Sequence, residues 1–195
     1  MKINHLVAAS AAVLLVACSE APAPEAEEAP AEPMAASNPM LEDWDTPFGV
    51  PPFDRIESEH YLPAFRAAMA MHADEIAAIT ANSEAPTFEN TVEALELSGS
   101  MLSRVSRVFF AVDGANSDDT TKETAKIVAP ELSAHRDNIL LNKDLFERIL
   151  AVYEQRDSLD LSPEQAHLLA ETHKQFVRSG ANLDDEAQAR LREIN

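Results

Sequence analysis

Between Thr87 and Phe110 the apolar side chains keep helical time. Phe88, Val92, Leu95, Gly99, Leu102, Val105 and Phe109 recur at steps of three and four, the period of one helix face. Thr87 offers a hydroxyl to the free N–H groups of a first turn, and Pro86 stops the helix running backwards. The pattern predicts one helix from Thr87 through Phe110, about 35 Å long at ~1.5 Å per residue, on which the rest of the chain packs. Before it, Leu62, Phe65, Met69, His72, Ile76 and Ile79 repeat the same steps and predict an amphipathic helix. Ser58 is its expected cap, Pro63 fits its first turns, and Asn82 with Ser83 ends it. The two helices should form an antiparallel pair.

After Phe110, Asp113-Gly114-Ala115-Asn116-Ser117-Asp118-Asp119 reads as a breaker, with Asp118 or Asp119 opening the next helix. That helix carries Ile127, Val128, Leu132, Ile139 and Leu140, and Pro130 inside it predicts a kink or a break. Asn142 ends it. A further helix holds Leu145, Phe146, Ile149, Leu150 and Tyr153. Ser162-Pro163-Glu164-Gln165 combines a cap, a first-position proline and a capping box; Leu168, Leu169, Phe176 and Val177 follow, and Gly180 closes the helix. Asp184 then caps a last helix with Ala187, Leu191 and Ile194. Its period continues to Asn195 with no stop signal, so the chain is expected to end inside a domain. The fold class is all-α, built of helical hairpins.

The first 54 residues differ in kind. Lys2 followed by the apolar run Leu6–Ala17 fits a signal peptide, residues 1–17, too short for a permanent membrane span. Leu15-Val16-Ala17-Cys18 resembles a bacterial lipobox, in which Cys18 is acylated and becomes the new N-terminus. A plain signal peptide with an incidental cysteine is the alternative; the position of this sole Cys directly after Ala17 argues against it. Ser19 after the Cys resembles an outer-membrane sorting signal. With one cysteine no intrachain disulfide forms. Residues 18–37 are mostly Ala, Pro and Glu, a composition with too little apolar bulk to order itself, and are expected to be a lipid-anchored spacer. From Asn38 to Asp54, four prolines and Gly49 exclude a long helix, whereas Trp44, Phe48, Val50 and Phe53 predict a strap that pins its aromatics against the helices. Residues 38–195 form the helical region.

Charge narrows the function. The chain holds 34 acidic against 15 basic side chains, and nine of the acids lie between Lys2 and Arg55. No basic stripe suits a nucleic-acid backbone, so no nucleic-acid partner is expected. Catalytic candidates are few. His-Glu-x-x-His, which sets two zinc ligands and a general base on one helix, does not occur. His167 and Glu171 share a face but His173 does not join them, so a solvated helix face is the expected reading there. His60, His72 and His135 are scattered and expected at core edges, bonded to backbone. Asp118-Asp119 and Asp184-Asp185-Glu186 read as helix starts. Arg104 and Arg107 could attract a peptide carboxylate, although a surface ion pair is the commoner fate. No catalytic, cofactor or metal residue is assigned; Cys18 is the one assigned site, for lipidation.

Several segments resemble the thimet oligopeptidase family of zinc metallopeptidases, in its peptidyl-dipeptidase and oligopeptidase A branch. They are Asp43-Trp44-Asp45, Pro51-Pro52-Phe53-Asp54, Glu59 to Phe65, Pro86 to Thr91 with Leu95 and Ser98-Gly99, Val108 to Phe110, Ala129 to His135, Asn138-Ile139, Leu145-Phe146 and Phe176 to Ala181. The resemblance implies a two-lobed helical enzyme around a channel that admits short peptides, with Zn2+ as cofactor. It also implies that the zinc motif lies in a later part of such an enzyme, outside this chain. These residues would then be an N-terminal wall of the channel, inactive alone, with the catalytic region, short peptides and, through Cys18, a membrane as partners. A cell-envelope location follows, on the periplasmic face of the outer membrane. The other open reading is a non-catalytic helical lipoprotein that binds or scaffolds.

Overall fold

The computed structural model describes residues 38–195; the signal peptide, Cys18 and the spacer lie outside them. Every regular element among the described residues is helical, and none of these helices is long and apolar enough to cross a membrane. The principal helices are α1 (Tyr61–Thr80), α2 (Ala94–Leu97), α3 (Ser100–Asn116), α4 (Asp119–Leu140), α5 (Lys143–Glu154), α6 (Pro163–Arg178) and α7 (Asp185–Ile194).

α1, rather than the stretch after Thr87, is the spine. Its first half sends Tyr61, Ala64, Phe65 and Ala68 into a cluster with Val105, Val108 and Phe109 of α3 and Val128 of α4. Its second half sends Ile76 and Ile79 into another cluster with Leu145, Phe146 and Ile149 of α5 and Phe176 of α6. Ala64 and Ala68 are wholly buried; their small side chains let α3 and α4 approach closely. In the first cluster Phe109 meets Tyr61 and Phe65 edge-on, with ring centroids 5.1 and 5.2 Å apart, a geometry that matches ring edge to ring face. A third cluster joins Phe88 and Val92 to Val152 and Leu169.

The predicted continuous helix over 87–110 is divided. Thr87 does cap, its Oγ1 accepting the Asn90 N–H at 3.1 Å. Phe88–Glu93 then forms a π-helical turn, whose wider step shifts the phase, so Thr91 and Val92 both turn inward. α2 lasts one turn; Ser98 is extended, and Gly99 lies in the left-handed region at φ 68° before α3 begins. The predicted breaker after Phe110 also differs. α3 continues through Asp113 and Gly114 to Asn116, because its last turn is solvated and one helical glycine costs only about 1 kcal/mol. Asp118 makes the stop, accepting the Thr121 N–H at 2.7 Å.

α4 runs through Pro130 without leaving helical geometry. Pro130 is exposed, as is Lys126, whose carbonyl loses its donor, so water can satisfy that carbonyl. Ser58 does not cap α1: its hydroxyl donates to Asp118 Oδ2 at 2.6 Å, and His60 Nδ1 accepts the Glu57 N–H at 2.9 Å instead. Other ends follow expectation. Asn142 follows the end of α4 as expected and, beyond that expectation, caps α5 through the Leu145 N–H at 2.9 Å; Ser162 and Gln165 form a reciprocal box, and Asp184 accepts the Ala187 N–H at 2.8 Å. Gly180, at φ 94°, lets the Ala181 N–H reach back to the Phe176 carbonyl at 3.0 Å. Buried Gln188 of α7 donates to the Gly180 and Ala181 carbonyls beyond it.

The strap is pinned by residues other than most of those expected. Met40 is wholly buried, and Asn38 ties the strap to α1 by donating to the His60 carbonyl at 2.7 Å. Trp44 is half-buried and donates to the Pro39 carbonyl at 2.8 Å. Phe48, Val50 and Phe53, expected inside, are exposed. Phe48 sits at φ 60° within the Pro47–Gly49 turn, which carries its ring outward.

Candidate functional site

The break at Ser98-Gly99 is the meeting point of α1, α3 and α4. His72 and Glu75 arrive from α1 and His135 from α4. Glu75 Oε2 accepts the Gly99 N–H at 2.6 Å, a charge-assisted bond to the amide that the chain break frees. A Cβ on Gly99 would lie 2.7 Å from the His72 ring. Both the positive φ and this close approach therefore require glycine.

The hydrogen bonds fix the protons. Ser98 Oγ lies 2.7 Å from the Leu95 carbonyl, which only accepts, so the hydroxyl proton goes there. Oγ must then accept from His72 Nε2, 3.1 Å away. His72 is thus the Nε2–H tautomer, leaving Nδ1 as acceptor, and His135 Nε2, 3.0 Å from Nδ1, is the donor. Burial holds both imidazoles below the ordinary histidine range; the Glu75 carboxylate opposes this at His72, and His72 reinforces it at His135. Both rings are neutral in this arrangement.

The chain of bonds cannot act as a serine–histidine nucleophile: the Ser98 proton is directed away from His72, whose facing nitrogen is itself a donor. It acts as a tie between three helices. Beside it lies an open concavity of about 360 Å³, lined by His72, Ser98, Leu102, Ser106, Arg107 and Leu132 among others.

Zinc does not fit these residues. No group of three or more His, Cys, Asp or Glu able to hold a metal occurs among the described residues, and the nearest imidazole nitrogens are spent on each other and on Ser98. His167 and Glu171 are exposed, and Glu171 is held by Lys174 at 2.7 Å, which draws its carboxyl below the usual range. His173 stacks on Tyr153 with centroids 3.9 Å apart; burial and the Arg156 charge lower its pKa. His60 does bond to backbone, as expected. His72 and His135, expected to be separate, bond to each other across 63 positions of sequence, a distance over which local pattern carries no signal. The Ser98-Gly99 pair inside a helical run was the one available hint. Arg107 is exposed. Arg104 makes no surface ion pair; it donates to the Met40 and Glu42 carbonyls at 2.8 and 3.0 Å and lies 4.6 Å over the Trp44 ring.

The chain matches no protein-family model. It is 42% identical over 160 residues to the dipeptidyl carboxypeptidase of Salmonella typhimurium, 82% of this chain and 24% of that protein. Against the dipeptidyl carboxypeptidase of Escherichia coli it is 40% identical over 162 residues, 83% of this chain and 24% of the relative. An organellar oligopeptidase A of Arabidopsis thaliana is 28% identical over 162 residues, 82% of this chain and 20% of the relative. The chain thus spans about a quarter of the length of the dipeptidyl carboxypeptidases it matches. With such identity extending over most of the described helices, the chain belongs to the dipeptidyl carboxypeptidase and oligopeptidase A branch of the thimet oligopeptidase family.

Proposed function

We propose that this chain is the N-terminal portion of a lipid-anchored zinc metallopeptidase that acts on short peptides and releases dipeptides from their C-termini. The observation that carries this reading is the 42% and 40% identity to two dipeptidyl carboxypeptidases across four-fifths of the chain. In this reading the helices form one wall of a substrate channel. On this reading the metal and its general base belong to residues outside these 195, which contain no His-Glu-x-x-His. When bound, zinc supplies an activated water and polarises the scissile carbonyl. The present residues contribute shape: a wall held rigid by the Ser98–His72–His135 tie. Cys18 carries the acyl anchor and sets the enzyme at the cell envelope, on the periplasmic face of the outer membrane.

The test is to express the full coding region and offer it one peptide with a free C-terminus and the same peptide amidated. Dipeptide release from the free form only, lost on chelation, is expected. Cleavage of neither form, with no zinc in the purified protein, would remove the reading. For the anchor, labelled palmitate should be incorporated by the natural sequence and not by Cys18→Ser; equal labelling of both excludes Cys18 as the acylated residue.

A further inference from the structure

The Ser98–His72–His135 tie is closed within itself. All of its donors and acceptors lie between residues 72 and 135. Protein laid over the neighbouring concavity would deepen the burial of the rings without changing which nitrogen donates. Ser98 gives its proton to the Leu95 carbonyl, His72 Nε2–H is given to Ser98, and His135 Nε2–H is given to His72 Nδ1. One ring nitrogen is left over: His135 Nδ1 makes no hydrogen bond with a described residue.

A first added proton therefore has a place to go. On His135 Nδ1 it makes an imidazolium whose Nε2–H still points at His72 Nδ1, and a charged donor strengthens that bond. If the charge moves across to His72, the bond reverses direction and survives, with the Glu75 carboxylate acting on His72 to favour it. A second proton has no such place. It must occupy the nitrogen that accepts, which leaves two cationic N–H donors facing each other across 3.0 Å. The rings, with centroids 5.0 Å apart, must then separate. A freed His72 imidazolium is drawn to Glu75, whose Oε2 otherwise holds the Gly99 N–H at 2.6 Å, so the amide at the chain break loses its acceptor.

The surrounding charges do not relieve this. On α4, Glu131 is bonded to Arg66 of α1 at 2.9 Å, and Arg136 lines a concavity on the side of α6. On α3, Arg107 lines the concavity beside His72 and brings another positive charge. α5 meets α1 beyond this point, at Ile76 and Ile79.

We propose that the His72–His135 pair is a two-proton latch: with no added proton or with one it holds α1, α4 and the Ser98-Gly99 break together, and on taking up a second it releases them. Burial disfavours both charged rings while the tie is closed, and each charge disfavours the other. The open form thus binds protons more readily, and acid favours opening. The latch does not depend on the peptidase reading, since it needs neither zinc nor substrate.

The protein expressed from the full coding region is followed by hydrogen exchange and mass spectrometry from about pH 7 to 5, above the range in which ordinary carboxylates titrate. Rates are corrected for the intrinsic pH dependence of amide exchange. Below about pH 6.5, opening of residues 95–104 should rise by more than tenfold, and up to about a hundredfold, per pH unit, because each proton taken up contributes a factor of ten. Residues 143–154 of α5, read in the same samples, should change less than twofold. His135→Gln keeps an N–H to donate to His72 Nδ1 but takes up no proton, so its opening should rise no more than tenfold per unit. His173→Gln, outside the tie, should keep the steep profile. A parent profile that never exceeds tenfold per unit would overturn the proposal whether or not the variants fold. So would an equal rise across α5, which marks general acid unfolding, or equal steepness in His135→Gln.

Discussion

Each half of the molecule is clamped by one arginine, and the two clamps differ. In the first half Arg104 of α3 reaches the Met40 and Glu42 carbonyls and rests on Trp44. In the second, Arg148 of α5 reaches the Asn82 and Glu84 carbonyls at 2.9 and 3.3 Å and Asn90 Oδ1 at 3.1 Å. Both bind backbone, and both leave a buried Nε without a partner. Arg104 holds a strap whose other end is open to water. Arg148, only 9% exposed, holds the turn from α1 into the π-helical segment, where Asn90 already serves the Thr87 cap. Identical chemistry thus fastens an accessory in one place and completes the core in the other. Burial and shared partners, not the number of bonds, set how much each clamp matters.

The largest expected effect is that of Arg148→Met. It leaves the Asn82 and Glu84 carbonyls without their guanidinium donor, while Asn90 Oδ1 keeps the Thr87 N–H and the Thr91 hydroxyl, and should cost about 3 kcal/mol by denaturant unfolding. A loss comparable to that of Arg104→Met would erase the distinction between the clamps. Next is Gly99→Ala, at the joint where the halves meet. Its φ of 68° and the 2.7 Å approach to the His72 ring should together cost about 2 kcal/mol, with the midpoint read by thermal or chemical melting. Arg104→Met should cost about 1 kcal/mol globally. It should also speed protease cleavage selectively within residues 42–55, since α1 and α3 keep their remaining contacts.

The smallest effect is one of pH. His72, His135 and His173 are all lowered from 6.5 by burial. The unfolded chain therefore takes up protons first as pH falls. Stability is full above about 6.5, where the unfolded histidines are neutral, and declines from there down to the lower folded values. Denaturation midpoints should fall between pH 7.5 and 5.5. His135→Asn, which removes one of these groups, should flatten that slope, and an unchanged slope would show that the His72–His135 contact does not resist protonation.

Local chemistry was readable in the sequence where a few neighbouring residues decide the outcome. Thr87, Asp118, Asn142, Ser162, Asp184 and Gly180 all end or begin helices as their side chains predict. Their work is done within five residues. The features around Ser98 were not readable, because what stabilises the break lies elsewhere: a carboxylate from α1 and an imidazole stacked against a missing Cβ. Apolar size, taken as a sign of burial, also misled. It placed Phe48 and Phe53 inside and overlooked Ala64 and Ala68, whose smallness is what the contact uses. Pro130 and Gly114 misled in the opposite direction, since a helix breaker costs little where water can replace the lost bond.

α1 lends its upstream turns to one cluster and its downstream turns to another. Adding or deleting one residue between Ala68 and Ile76 would rotate the two burial faces against each other by about 100°. No adjustment of a loop could restore that alignment. The spacing inside α1 is therefore a ruler: lengthening a connection costs little in general, whereas the eight-step interval is what keeps both halves facing their partners.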